Sequence, residues 1–316
     1  MRLDFCRAQI RRCRQWLKSL SVVVYVGLGE WGFSEDALDE GFALSAALLV
    51  EKGLILDLDA SKGLELEEDN RVRSWSNQMR GKAAGKFSKQ DEGRALAGSG
   101  RPTWRRSVAS IGGKPAVLFE EQELIHDSED AFDHLVTGSG YTWFSVMAVH
   151  PQRVGKKDVN AFFGNLRNGP PYDGFWGNLM DDNRVWMGTR NGLREKGTEG
   201  LWHPRLNPCV STPEPIEVHR FYVVAGRMGA GGGVVKLELF VNSPDPVDCQ
   251  TVPVNAEANP SKMAIGQERD AVNHPGKESF HGEIARFLIY ERPLSTQELA
   301  SMFRFLSHEY LIQLGD

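Results

Sequence analysis

The chain has 316 residues, 41% of them hydrophobic and 25% charged, with a formal net charge of −5. That length admits one large domain or two of ordinary size. No apolar run reaches the roughly 18 to 20 residues that a membrane-spanning helix needs. The charge is uneven: residues 1–20 carry six basic side chains (Arg2, Arg7, Arg11, Arg12, Arg14, Lys18) against Asp4, a net of +5, so the remainder holds −5 − 5 = −10. An acidic body argues against nucleic acid as a partner, because phosphate neutralisation needs clustered Lys and Arg.

Residues 1–50 read as a separate N-terminal region and 51–316 as one domain. The basic residues precede an apolar run from Leu20 to Gly29, and a second patch, Phe42 to Val50, contains Ser45, Ala46 and Ala47. Two readings stand: an export leader, or a poorly ordered segment. Cys6 and Cys13 in this region lack metal-ligand spacing. Cys209 and Cys249 either pair, in an oxidising compartment, or remain thiols.

The domain opens on an apolar strand from Gly53 to Ala60, with Asp57 and Asp59 on one face. An acidic connection (Glu65 to Asp69) and a short strand, Val72 to Trp75, follow. Residues 76–115, polar and rich in Gly, Lys and Ser, are expected to form a long surface connection before a strand at Ala116–Phe119. Tyr141 to Val149 is apolar on both faces, the mark of a strand between two layers. Ala161–Phe163 and Val185–Arg190 read as further strands, with a turn-rich stretch at 165–180 between them. Residues 191–217 read mostly as loop. Phe221–Met228 and Val235–Asn242 form a hairpin around Gly229–Gly233, the second arm alternating between an apolar and a wet face.

The C-terminal stretch carries the sharpest local signal. A strand ends at Ile265–Gly266, a polar loop follows, and a second strand runs from Glu283 to Tyr290. After Arg292–Pro293, Ser295 and Glu298 have the spacing of a capping box, and Leu294 and Leu299 that of a hydrophobic staple. Leu299, Met302, Phe303, Leu306 and Tyr310 fall on one helical face. Many strands, Gly-rich turns and no long internal helix predict an all-β sandwich of two antiparallel sheets with a short C-terminal helix.

Four segments carry a family resemblance: Gly53–Ala60, the strand beginning Tyr141-Thr-Trp-Phe, Leu239–Asn242, and the ending Ile265-Gly…Phe280-His-Gly-Glu-Ile-Ala-Arg-Phe-Leu-Ile-Tyr…Leu294–Glu298. Together they resemble a laminin-G-like domain of the concanavalin A-like lectin/glucanase superfamily, over roughly residues 52–313. The resemblance implies a jelly-roll sandwich of the kind found in large bacterial surface and secreted proteins, planctomycete ones especially, and an extracellular or cell-surface place. It does not choose among glycan binding, adhesion, glucanase and lyase activity.

The signatures of catalysis are missing. Glucanases of that superfamily carry Glu-x-Asp-x-x-Glu on one strand, placing two carboxylates for acid and nucleophile roles. The nearest string here, Glu65-Leu-Glu-Glu-Asp, runs directly into Asn70 and Arg71, as a solvated turn does. A zinc helix, a nucleophile elbow and a phosphate loop are also absent. The reading is therefore a non-catalytic carbohydrate-binding or adhesion module needing no cofactor. Its alternatives are a polysaccharide hydrolase or lyase, and a structural protein-interaction module. The sequence leaves the oligomeric state open.

Residues 165–190 hold the candidate ligand contacts. Tyr172, Trp176 and Trp186 offer flat apolar faces; Asn165, Arg167, Asn168, Asp173, Asn178 and Arg190 offer hydrogen bonds. Sugars are bound by that mixture, since their C–H faces stack on rings and their hydroxyls need fixed partners. The competing assignment puts Trp186 and Phe175 in the core and the Asn-Gly, Pro-Pro and Asp-Gly pairs in turns. In the loop 267–274, Asp270 and Asn273 could offer oxygens to calcium. The alternative is a charged clasp in which Arg269 and Arg286 pair with Glu268, Glu283 or Glu291 and hold the loop to the last strands.

Overall fold

The structure, a computed structural model, describes residues 49–89, 100–152, 160–167, 173–193, 206–268 and 279–315. The N-terminal region 1–48 lies outside them, as do Asn168, Tyr172, Arg269, Asp270 and Asn273.

In chain order the first strands are β1 (Leu54–Asp59), β2 (Leu64–Leu66), β3 (Val72–Ser76), β4 (Lys86–Ser88), β5 (Thr103–Val108) and β6 (Lys114–Glu120). Next come β7 (Leu124–His126), β8 (Tyr141–Val149), β9 (Asn160–Gly164), β10 (Asp173–Leu179), β11 (Val185–Asn191) and β12 (Cys209–Ser211). The chain closes with β13 (Phe221–Met228), β14 (Val234–Val241), β15 (Asp248–Pro253), β16 (Ala264–Ile265), β17 (His281–Tyr290) and one helix, α1 (Thr296–Tyr310).

These strands form two sheets. An eight-stranded sheet has the order β15-β14-β13-β8-β17-β6-β5, with β1 paired to β17, and a nine-stranded sheet the order β12-β11-β10-β9-β16-β7-β4-β3-β2. Neighbouring strands pair antiparallel throughout, for example β8 with β13 and β10 with β11. The chain is a two-sheet antiparallel β-sandwich with one C-terminal helix.

Side-chain alternation explains the layers. On β8, Tyr141, Trp143, Met147 and Val149 point into the core between the sheets. Phe144, Val146 and Ala148 point outward into a second core. Helix α1 fills that second core with Leu299, Met302, Phe303, Leu306 and Tyr310, all buried. Every residue of β8 is buried, as a strand between two apolar layers must be.

The helix starts as its sequence dictates. The Glu298 N–H donates to Ser295 Oγ at 3.2 Å, and the Ser295 N–H donates to the Glu298 carboxylate at 2.8 Å. Arg292 grips the same carboxylate at 2.7 and 2.9 Å, and that contact, more than the cap itself, pulls the Glu298 carboxyl down to about 2.

Three segments differ from expectation. Residues 76–115 contain β4 and β5 rather than a bare connection. β5 is an edge strand: Trp104 packs on the core while Arg105 and Arg106 face water, so its polarity resembled that of a loop. β12 likewise is a short edge strand inside residues 191–217. The part of 165–180 read as turns contains β10, whose glycines give clearance. At Gly177 a Cβ would lie 2.3 Å from the Phe162 ring.

Candidate functional site

The two sheets differ in what lies outside them. The outer face of the eight-stranded sheet is covered by α1; that of the nine-stranded sheet carries its own buried cluster, closed to solvent at Trp176 and Asn178. The candidate residues of 173–190 fall on that face by strand period. Phe175 and Leu179 of β10 and Val185 and Met187 of β11 enter the core. Trp176, Asn178, Trp186 and Arg190 therefore point the other way.

Trp176 lies across β11 because its partner there is Gly188; a Cβ on Gly188 would meet the indole at 2.5 Å. The Trp186 ring meets Trp176 edge-on, 5.7 Å between centroids, and the Arg190 guanidinium sits 5.3 Å from the Trp176 centroid. Leu166, Met180 and Cys209 complete this outer cluster. Trp176 is fully buried and Trp186 is 9% exposed. The expected broad stacking platform is thus a packed indole pair, with Arg190 on one ring.

Asn178 stands between Ala161 of β9 and Trp186 of β11. It is fully buried, and neither its carbonyl oxygen nor its amide nitrogen has a hydrogen-bond partner. The neighbouring Trp186 indole N–H is also buried and unpartnered. A buried polar group left unpaired costs about 1–3 kcal/mol.

The segment after β16 also reaches this face. Gly266 has a left-handed backbone (φ 88), and the chain beyond it crosses above Gly164, where a Cβ would lie 2.3 Å from the Glu268 carbonyl oxygen. That carbonyl accepts the Leu166 N–H at 3.2 Å. Glu268 is buried and close enough to raise the Cys209 thiol, while Arg190 lowers it; burial dominates both and pushes the thiol up to about 12. Such a thiol is inert as a nucleophile. Cys209 and Cys249 are not joined to each other.

Other candidates hold backbone. Asn165 Oδ1 accepts the Phe175 N–H at 2.9 Å, and Asp173 Oδ2 accepts the Asn259 N–H at 2.9 Å. The Arg167 guanidinium donates to the carbonyls of Asn259 and Pro260 and lies 3.8 Å from Glu129. Asn165 ties the end of β9 to β10, and Arg167 and Asp173 fasten this region to the turn at 259–260.

The clasp needs correction. Arg286 pairs with neither Glu268, Glu283 nor Glu291; it makes two hydrogen bonds, 2.8 and 2.9 Å, to Asp57 of β1. β1 is the direct neighbour of β17 on this side, so the nearest buried carboxylate is Asp57. Glu283 instead pairs with Arg105 at 2.5 Å and His150 at 3.2 Å. Sequence inspection also missed Lys89 and Glu123, a fully buried ion pair at 2.5 Å beside β4 and β7. A lone buried Lys before a polar segment gives no period to read. Among the described residues no group of three or more His, Cys, Asp or Glu is arranged to hold a metal ion.

Asp133, in the single turn before β8, lies near Asp130, Glu129, Asp173 and Arg167. Burial first, then the Asp130 charge, pushes its carboxyl from 3.8 up to about 7, against the pull of Arg167. The raised value means that the protonated form favours folding: its contribution is full below the unfolded value and is lost as pH rises through 7. Asp133→Asn is expected to raise Tm at pH 8 by roughly 2–4 °C, the difference closing below about pH 4. Melting curves across that range check it, and parallel profiles would contradict it.

No family model and no curated protein matches the chain. Among solved structures, it is similar to a Trypanosoma rangeli sialidase in complex with sialic acid at 14% identity and TM-score 0.46, covering 83% of this chain and 34% of the sialidase. It is also similar to a Ruminococcus gnavus IT-sialidase CBM40 bound to alpha2,3 sialyllactose at 15% identity and TM-score 0.38, covering 52% of this chain and 83% of that one. The chain spans about a third of the sialidase's length. Likenesses this weak say nothing of what this chain binds; the sandwich stands on its own strand order.

Proposed function

We propose that the chain is a non-catalytic carbohydrate-binding module of concanavalin A-like type, acting outside the cytoplasm. Its glycan is held on the outer face of the nine-stranded sheet, around Asn178, Trp186 and Arg190. The observation that carries this reading is the Asn178 carboxamide, fully buried with both ends unpartnered beside an unpartnered indole N–H. Both groups are closed to solvent, so binding has to open a path to them; a sugar hydroxyl both donates and accepts, and can then partner the carbonyl, the amide or the indole. Displacing the unmet cost of these groups is a source of affinity that an apolar patch lacks. Arg190 adds a charged donor, and the indole pair adds apolar area for C–H faces.

The test is a glycan array and polysaccharide pull-down with the full chain, with and without Ca²⁺. Retention of at least one glycan is expected. No retention under either condition would overturn the reading.

A second reading is a polysaccharide hydrolase or lyase, with Glu268, buried just beyond β16, as a carboxylate on the same face; Glu123 at the head of β7 is already neutralised by Lys89. Release of reducing ends or unsaturated products from a retained polysaccharide would choose it.

A further inference from the structure

At one end of the eight-stranded sheet three imidazoles pack together. His150 follows β8, His281 opens β17 and His219 precedes β13. The His150 ring centroid lies 4.5 Å from that of His219 and 4.9 Å from that of His281. Three chain segments are stitched at this point. The His150 N–H donates to the His281 carbonyl at 3.0 Å and the His219 N–H to the Val149 carbonyl at 2.7 Å. The Gln152 amide donates to the carbonyls of His150 and His281 at 2.6 and 2.8 Å, and its oxygen accepts the His281 N–H at 3.1 Å. His219 has a left-handed backbone (φ 63), uncommon for a residue with a Cβ, so its ring is held on His150 at some conformational cost.

The charges around the rings are few. Glu283 of β17 is buried and faces His150, but Arg105 of β5 pairs with the same oxygen at 2.5 Å and already balances it. Glu120 and Glu121, beside β17, attract His281 weakly. Glu217 and Arg220 flank His219 and pair with each other at 3.3 Å. His281 Nδ1 lies 3.3 Å from the Pro151 carbonyl. Burial, and after it the proximity of His150, holds His281 below the ordinary histidine value.

We propose that this cluster is an acid-triggered catch, fastening the Val218–His219 segment and the start of β17 to the end of β8 at neutral pH and releasing them below about pH 6. Two imidazolium rings at these separations repel, and the buried carboxylate that faces His150 is shared with an arginine. The sign follows: a histidine whose folded value is depressed stabilises the fold above its unfolded value, and that stability is lost as pH falls through the folded one.

The test uses the full chain. Between pH 7.5 and 5 the wild-type Tm is expected to fall by about 3 °C more than that of His150→Gln. Independently of any variant, the His219 amide of the wild type should lose hydrogen-exchange protection at pH 5, after correction for intrinsic rates, and regain it at pH 7.5. Parallel Tm profiles, or a His219 amide equally protected at both pH values, would overturn the proposal.

Discussion

Replacing Arg286 by alanine is expected to lower the folding free energy by about 3–5 kcal/mol, seen as a fall of roughly 10 °C in Tm. Arg286 and Asp57 are both buried, and their two hydrogen bonds are a bidentate pair joining β17 to β1. Burial disfavours the guanidinium charge, but the hydrogen bonds and charge of Asp57 outweigh it and push the group above the ordinary arginine value. The same guanidinium lies 5.5 Å from the Phe305 ring of α1, so it sits where β1, β17 and the helix meet. Removing it leaves the Asp57 carboxylate buried without its partner, which is the costly outcome. Replacing both together, Asp57→Leu with Arg286→Met, should recover most of the loss, since a buried ion pair contributes little against apolar packing. Urea or thermal melts of the single and the double variant measure this; a single-variant loss below about 1 kcal/mol would contradict the buried-pair reading.

Trp176→Ala is expected to cost a similar amount, about 3–5 kcal/mol, because it removes a fully buried indole and leaves a cavity. The loss should reach neighbours: Trp186 loses its edge-on partner and Arg190 the ring beneath it. A variant that still melts within 2 °C of wild type, on the order of half a kcal/mol, would show instead that Trp176 is an open ligand platform. Binding lost in Trp176→Ala alone therefore reports on folding as much as on ligand contact, and Trp186 and Asn178 are the cleaner positions to vary.

Much of the fold is legible where period and local chemistry agree. The Ser295–Glu298 box, the five apolar positions of α1 and the continuous apolar run of β8 each point to one structure by a local rule, and each occupies the place that rule gives. What local rules cannot supply is long-range pairing. Arg286 reads as a residue needing a buried carboxylate, but the carboxylate lies 229 positions away, on a strand whose neighbour is set by sheet order. Edge strands hide for a related reason: β5 is polar at Thr103, Arg105, Arg106 and Ser107, and β12 is only three residues long, so neither shows a strand period. In β10 Gly174, which reads as a turn marker, is needed where the backbone of Asn165 and Leu166 approaches, and Gly177 where the rings of Phe162 and Phe163 do.

The candidate site is legible in part. Trp176, Asn178, Trp186 and Arg190 share a face as soon as β10 and β11 are known to be strands, since the period of two puts them there. Asn165, Arg167 and Asp173 carry the same polar groups in sequence, but those groups bind backbone. Glu268 joins the face only because the chain turns at Gly266 and crosses Gly164, a contact between segments about a hundred residues apart that no motif announces.

The central claim is that the unpartnered Asn178 is kept for a glycan, and one pair of measurements on Asn178→Leu tests it most directly. The near-isosteric apolar side chain removes the unmet polar atoms, so Tm should stay level or rise by roughly 2–4 °C. Affinity for the glycan retained by the wild type should fall at least about tenfold, a loss of about 1.4 kcal/mol. Unchanged affinity in a folded Asn178→Leu chain would contradict the claim.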